Sequence, residues 1–258
     1  MGYLKNSLLS IDFGNRSILR TLGLGVLLSV FSNLSTAIEL RVSVAQGLPP
    51  YIIYEQNRGM ELDIVRESLA LKGHSIKTVY LPKKRVSTAF GKGKVDAALT
   101  VNESSSIKTA HYSDSYITYQ NVVIALAENN FKIEKVKDLD GYSVVGFQRA
   151  TQFLGKEFAA MAKRNSNYSE RVDQSLQITL LFSKRTDLIV MDTNIYKYYK
   201  NLETLVDVNQ PVTIFEIFPP SYYKVAFRDK TIQKDFNEGL RALRLSGRYQ
   251  AIIRSYTD

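Results

Sequence analysis

Between Glu39 and Ala45 the string ELRVSVA is a β-branched apolar run. It stops at the turn-forming Gly47-Leu48-Pro49-Pro50, before a shorter apolar run from Tyr51 to Tyr54. That pattern predicts a strand. Leu62, Ile64, Val65, Leu69 and Leu71 then recur near helical spacing and end at Lys72-Gly73. A basic last turn followed by a glycine suits a helix C-terminus, so a helix of roughly three turns is predicted. The alternation repeats as a strand over 75–81, a helix over 85–90 and, after Gly93, a buried strand over 95–101. Strands alternating with helices imply a mostly parallel sheet covered by helices.

The apolar run 122–127, leading into KVKDLDG at 135–141, reads as a first crossover out of this lobe. A second series follows, with a strand over 142–147, helices over 151–164 and 174–182, a strand over 187–191 and a helix after Asp192. After Pro219-Pro220 an apolar strand over 222–227 feeds two closing helices, 232–245 and 248–256, the first with a strong 3.6-residue period. The expected fold is α/β with two lobes, residues 38–123 with 222–258 and residues 124–221, joined by two hinge crossovers. Two such crossings leave a cleft that can close on a solute.

The amino-terminal segment sets the compartment. Residues 1–20 carry Lys5, Arg16 and Arg20 against Asp12, residues 22–31 (LGLGVLLSVF) hold no charge, and Ser35-Thr36-Ala37 offers the small residues a signal peptidase reads. Ten apolar residues rise about 15 Å as a helix, half the roughly 30 Å hydrocarbon core, which argues against a lasting anchor. Residues 1–37 are therefore read as a cleavable signal for export to the periplasm. Cleavage removes three bases and one acid, taking the formal charge from +9 to +7. The surplus is spread along the chain without a basic stripe or helix-turn-helix pattern, so nucleic acid is not expected as a partner.

The 258 residues contain no cysteine, which excludes disulfides, thiolate metal sites and a cysteine nucleophile. His74 and His111 lie far apart without ligand spacing, so a metal is not expected. A serine nucleophile has no GxSxG turn or histidine partner. Paired carboxylates among Glu55, Glu61, Asp63, Glu103 and Asp192 leave a dehydratase-like enzyme as one alternative, but the reading is of a protein without catalysis of its own.

The order of LRVSVAQGLPPY, GMELDIVRESLALKG, GKGKVDAAL, HYSDSY, VKDLDGYSVVGFQRAT, TDLIVMD and LRALRLSGRYQAIIRSY resembles the family-3 extracellular solute-binding proteins, the polar amino-acid receptors of bacterial ABC importers. The resemblance implies a type II periplasmic-binding fold, no cofactor, and a small polar solute held between closing lobes. It implies an ABC permease as partner, or a membrane sensor if the chain reports rather than delivers, and a monomeric receptor. Where such receptors stack an aromatic ring on the ligand this chain has Leu48, and Tyr51 is the candidate substitute. Thr100 and Asn102 fall where hydroxyl and backbone donors are expected. No arginine occurs between Asp96 and Tyr116, so the usual carboxylate-gripping position falls on Ser106 or Lys108, with Arg85 as a further candidate. In the second lobe Arg149 and Thr151 lie in the strand-to-helix loop that meets an anionic group, Thr151 also being placed to cap the helix. Asp192 matches the carboxylate that accepts a ligand ammonium.

Overall fold

The computed structural model describes residues 37–102, 105 and 107–258, so the predicted signal, but for Ala37, lies outside the described residues. The chain opens with β1 (Glu39–Ala45), α1 (Met60–Ala70), β2 (Ser75–Leu81), α2 (Lys83–Gly91) and β3 (Ala97–Val101). Two short strands absent from the sequence reading follow, β4 (His111–Tyr112) and β5 (Ile117–Tyr119). Then come β6 (Asn121–Leu126), β7 (Val144–Phe147), α3 (Ala150–Phe153), α4 (Gly155–Arg164), β8 (Tyr168–Arg171), α5 (Ser175–Phe182), β9 (Leu188–Asp192), α6 (Thr193–Leu202) and β10 (Val212–Phe215). β11 (Ser221–Phe227), α7 (Lys230–Leu245) and α8 (Arg248–Thr257) close the chain.

These strands form two sheets, ordered β2-β1-β3-β11-β4 with β5 also on β11, and β10-β6-β9-β7-β8. β1 runs parallel to β2 and β3, and β7 runs parallel to β8 and β9. β11 and β6 are antiparallel to their neighbours. The sheets are thus mixed rather than mostly parallel, because the strand that enters each sheet from a crossing runs against its hosts.

Sheet membership changes at Gln120, between β5 and β6, and again across 216–220. The first crossing therefore lies ahead of the expected 122–127. Residues 121–123 sit in the second sheet because β6 pairs with β9 through Asn121↔Asp192 to Ile124↔Ile189. The KVKDLDG segment is a 3-10 turn over Val136–Leu139 whose Val136 and Leu139 are buried in the second lobe.

Both sheets are covered on two faces, as strands with few polar positions require. In β3, Ala97 and Leu99 join the core shared with α1 and α7, while Ala98 and Val101 pack with Val86 and Phe90 of α2. In the second sheet Val123, Val144 and Val190 bury Phe158 and Met161 of α4, and Ile124, Val145 and Ile189 bury Ile178 and Leu181 of α5. Each fully buried side chain of this size contributes roughly 1.5–3 kcal/mol.

α1 and α7 meet at Gly239, where an added Cβ would lie 1.9 Å from the Ser68 carbonyl oxygen. His74, after α1, sets its Nε2 3.0 Å from Asp235 Oδ2 of α7 and fastens the same pair. The helix expected over 151–164 is two helices, α3 and α4, parted at Gly155 with φ +91°, a conformation open to glycine.

Candidate functional site

The first N–H groups of α1 are satisfied by the preceding loop: Met60 N donates to Pro50 O at 3.0 Å and Glu61 N to Tyr51 O at 3.1 Å. This sets Tyr51 and Glu61 side by side. The Glu61 carboxylate is fully buried and accepts from the hydroxyls of Thr100, Tyr116 and Tyr119, the last at 2.5 Å. Thr100 reaches it from a left-handed backbone, φ +55°, at the end of β3. Burial raises the Glu61 pKa above the ordinary carboxylate range, opposed by those three hydroxyls and by the charge of Lys83.

Tyr119 stacks on Tyr51 with ring centroids 3.9 Å apart. Tyr51, also fully buried, donates to Asp192 Oδ1 at 2.7 Å and accepts from Asn194 Nδ2 at 3.1 Å. Asp192 further accepts from Gln120 N at 2.8 Å, Asn194 N at 2.9 Å and Ile195 N at 3.1 Å, the last two as the cap of α6. A chain of contacts thus runs from Glu61 in the first lobe, through two stacked tyrosines, to Asp192 in the second. Burial next to carboxylates raises the pKa of Tyr51, Tyr116 and Tyr119 well above the usual phenol, so these rings remain hydrogen-bond donors.

Desolvation outweighs the four donors on Asp192 and pushes its pKa from the ordinary 3.8 to about 6. The folded chain therefore takes up this proton before the unfolded chain does as pH falls. Stability rises on acidification from about pH 6 to pH 4, and the ionised group costs about 3 kcal/mol above that window. Glu61 acts in the same direction. In urea unfolding, the wild type is expected to lose about 2.5 kcal/mol more than Asp192→Asn on going from pH 4 to pH 7. A pH-independent difference between the two proteins would contradict the shift.

The sequence-predicted residues divide into three groups. Tyr51, Thr100 and Asp192 meet in the tyrosine–carboxylate cluster, although the ring face of Tyr51 is covered by Tyr119 and its polar contacts are made by its hydroxyl. Arg149 and Thr151 sit together in the second lobe, where the anion they meet is the chain's own Glu170. Its carboxylate accepts from Arg149 N at 2.6 Å and from Thr151 N and Oγ1 at 3.3 Å each. Arg149 itself, with φ +67°, occupies the cap position of α3, so Thr151 does not cap it.

Arg85, Asn102 and Lys108 lie outside both clusters. The exposed Arg85 guanidinium has no hydrogen-bond or ion-pair partner among the described residues. Asn102 N donates to Ser105 Oγ at 3.3 Å, and Lys108 is exposed in the following turn. Ser106 and Glu103 lie outside the described residues. Of the carboxylates considered for acid–base chemistry, Asp63 pairs instead with Arg58 and Arg66, and Glu61 and Asp192 engage separate sets of donors.

Sequence reasoning overlooked Tyr116, Tyr119 and Tyr223, although HYSDSYITY places three tyrosines within eight positions of one segment. Tyr223, on β11, sets its ring edge-on to Tyr119 at 4.9 Å. Burial first, and then the charges of Glu61 and Asp192, raise its pKa. Its hydroxyl has no hydrogen-bond partner among the described residues, which leaves a donor available beside both carboxylates. Lys83 and Phe153, where the two lobes touch, were also missed; Lys83 Nζ stands 5.0 Å from the centroid of that ring.

A family profile described as bacterial extracellular solute-binding proteins, family 3, matches residues 40–258. No curated protein sequence matches the chain. Among solved structures, the GluR0 ligand-binding core in complex with L-glutamate is similar at TM-score 0.64 and 18% identity, covering 86% of this chain and 100% of that one. An ancestral cationic amino acid solute-binding protein gives TM-score 0.65 and 20% identity, covering 85% and 96%. A histidine kinase sensor domain with similarity to periplasmic binding proteins gives 0.58 and 18%, covering 84% and 95%. At these identities the likenesses establish the type II two-lobed fold.

Proposed function

This chain belongs to family 3 of the bacterial extracellular solute-binding proteins, and on that premise we propose that it captures a small, amino-acid-like solute in the periplasm for an ABC-type importer. The supporting observation is the meeting of donors from both lobes beside the crossings, with Tyr51 of the first lobe bonded to Asp192 of the second. A solute that engages both lobes only when they close supplies the closing free energy from its preference for that state.

Of the residues assigned to the solute from the sequence, Thr100, Tyr51 and Asp192 form this part of the proposed site, and Tyr223 joins them with a hydroxyl that has no partner among the described residues. Reporting to a membrane sensor is the alternative, favoured by the likeness to the histidine kinase sensor domain.

A thermal-shift screen of amino acids, small carboxylates, polyamines and peptides tests the capture. A solute at a hundredfold excess over its dissociation constant adds about 2.7 kcal/mol, a rise of roughly 5–10 °C in melting temperature. X-ray scattering with such a solute is expected to show a smaller radius of gyration than without it. Equal radii would overturn closure.

A further inference from the structure

Across the cleft, α2 of the first lobe meets α3 of the second at the ring of Phe153, which is 54% exposed. Lys83 Nζ is 5.0 Å from the ring centroid, and Arg149 Cζ is 5.8 Å from the same centroid. Neither cation has a carboxylate within ion-pair distance among the described residues. The Arg149 guanidinium donates to the neutral amide oxygen of Gln152, at 2.8 and 2.5 Å.

Two like charges brought by opposite lobes to one ring repel each other. The attraction of each to the ring, about 0.5–1 kcal/mol at exposed sites, does not neutralise either charge. Loss of water around the Lys83 ammonium, and secondarily the Arg149 charge, lower the Lys83 pKa, with buried Glu61 pulling the other way. An anion between the two cations would relieve the repulsion and draw the lobes together.

We propose that Lys83 and Arg149, one from each lobe, grip the carboxylate of the bound solute beside the Phe153 ring. The inference rests on the reading of the chain as an amino-acid-type receptor. It supplies, from α2 and the β7–α3 loop, the carboxylate grip that an arginine between Asp96 and Tyr116 would otherwise give. Glu61 and Asp192, with two cations that have no ion pair among the described residues, give the site acidic and basic groups together, as a zwitterion's counterpart requires.

The test begins with the twenty L-amino acids as thermal-shift probes on the wild type. Each acid that binds is titrated calorimetrically beside the amine that lacks its α-carboxylate, on the wild type, Lys83→Ala, Arg149→Ala and the double variant. On the wild type the amine is expected to bind about 100-fold more weakly than the acid, each single variant to weaken the acid about 10-fold, and the double variant to lose the preference. Lys83→Arg keeps the charge and should retain acid binding.

Both side chains are exposed, so the melting temperatures of the unliganded variants should match the wild type. An amine that binds as tightly as its acid, or a double variant that keeps acid affinity, overturns the grip and leaves the receptor reading intact. If none of the twenty acids binds the wild type, the amino-acid reading falls and the grip with it.

Discussion

Alanine at position 239 is expected to lower the melting temperature by about 10 °C, the equivalent of about 3 kcal/mol at the upper end of overpacking costs. The added carbon would lie 1.9 Å from the Ser68 carbonyl oxygen, well inside any van der Waals contact, and the obstacle is backbone rather than a side chain that can turn aside. α1 and α7 must separate. That motion loosens Leu62, Leu69, Phe236 and Leu240, all buried in the core they share. It also stretches the His74–Asp235 contact. A glycine-to-alanine change in a helix interior would otherwise stabilise by up to about 1 kcal/mol through propensity, so the sign of the effect separates the two influences. Calorimetric unfolding reads it directly, and an unchanged or raised melting temperature would mean the helices are not this close.

Removing the Asp192 carboxylate is expected to weaken capture of an amine-bearing solute by about 2–5 kcal/mol, roughly 30-fold to several thousandfold. In the structure four donors occupy the carboxylate, about as many as its lone pairs admit. Three are backbone N–H groups fixed by the Gln120 crossing and the first turn of α6. The Tyr51 hydroxyl alone belongs to a side chain, so under the proposed capture it is the donor that an incoming ammonium would displace. Asp192→Ala therefore removes both the charge and the cap, whereas Asp192→Asn removes the charge and keeps an acceptor for Tyr51 and for α6. The asparagine variant should lose nearly as much affinity with a smaller loss of stability. An alanine variant with an unchanged dissociation constant would remove Asp192 from the solute site.

How far the sequence revealed this molecule follows from where local pattern and tertiary environment agree. β1 and β2 have the predicted bounds because both are runs with β-branched residues ended by glycine or proline turns, although only β1 is largely buried. β4 has two residues, β5 three, and β8 is the polar string YSER; each exists because a neighbouring strand offers an edge, which no local pattern records. The first crossing was misplaced because β6 is a buried run like any other, and only its pairing with β9 and β10 shows which sheet owns it.

The site behaved alike. Asp192 stood out because a carboxylate ending a buried strand is chemically conspicuous. Glu61 sits one residue into an amphipathic helix, where an acid is expected for the helix dipole, and only the three hydroxyls around it reveal its burial. Lys83 was passed over for Arg85 two residues later, since nothing in PKKR says which cation turns toward Phe153.

The side chain of Gln120, at the first crossing, donates through Nε2 to the Phe218 carbonyl at 2.9 Å, in the second. Its own carbonyl accepts from Thr193 N and Oγ1 at 2.9 and 3.1 Å. The Gln120–Phe218 hydrogen bond ties the two connections between the lobes to each other. For the closure proposed above, connections tied in this way have less independent movement to lose on binding, so more of the solute's contact energy would survive as affinity.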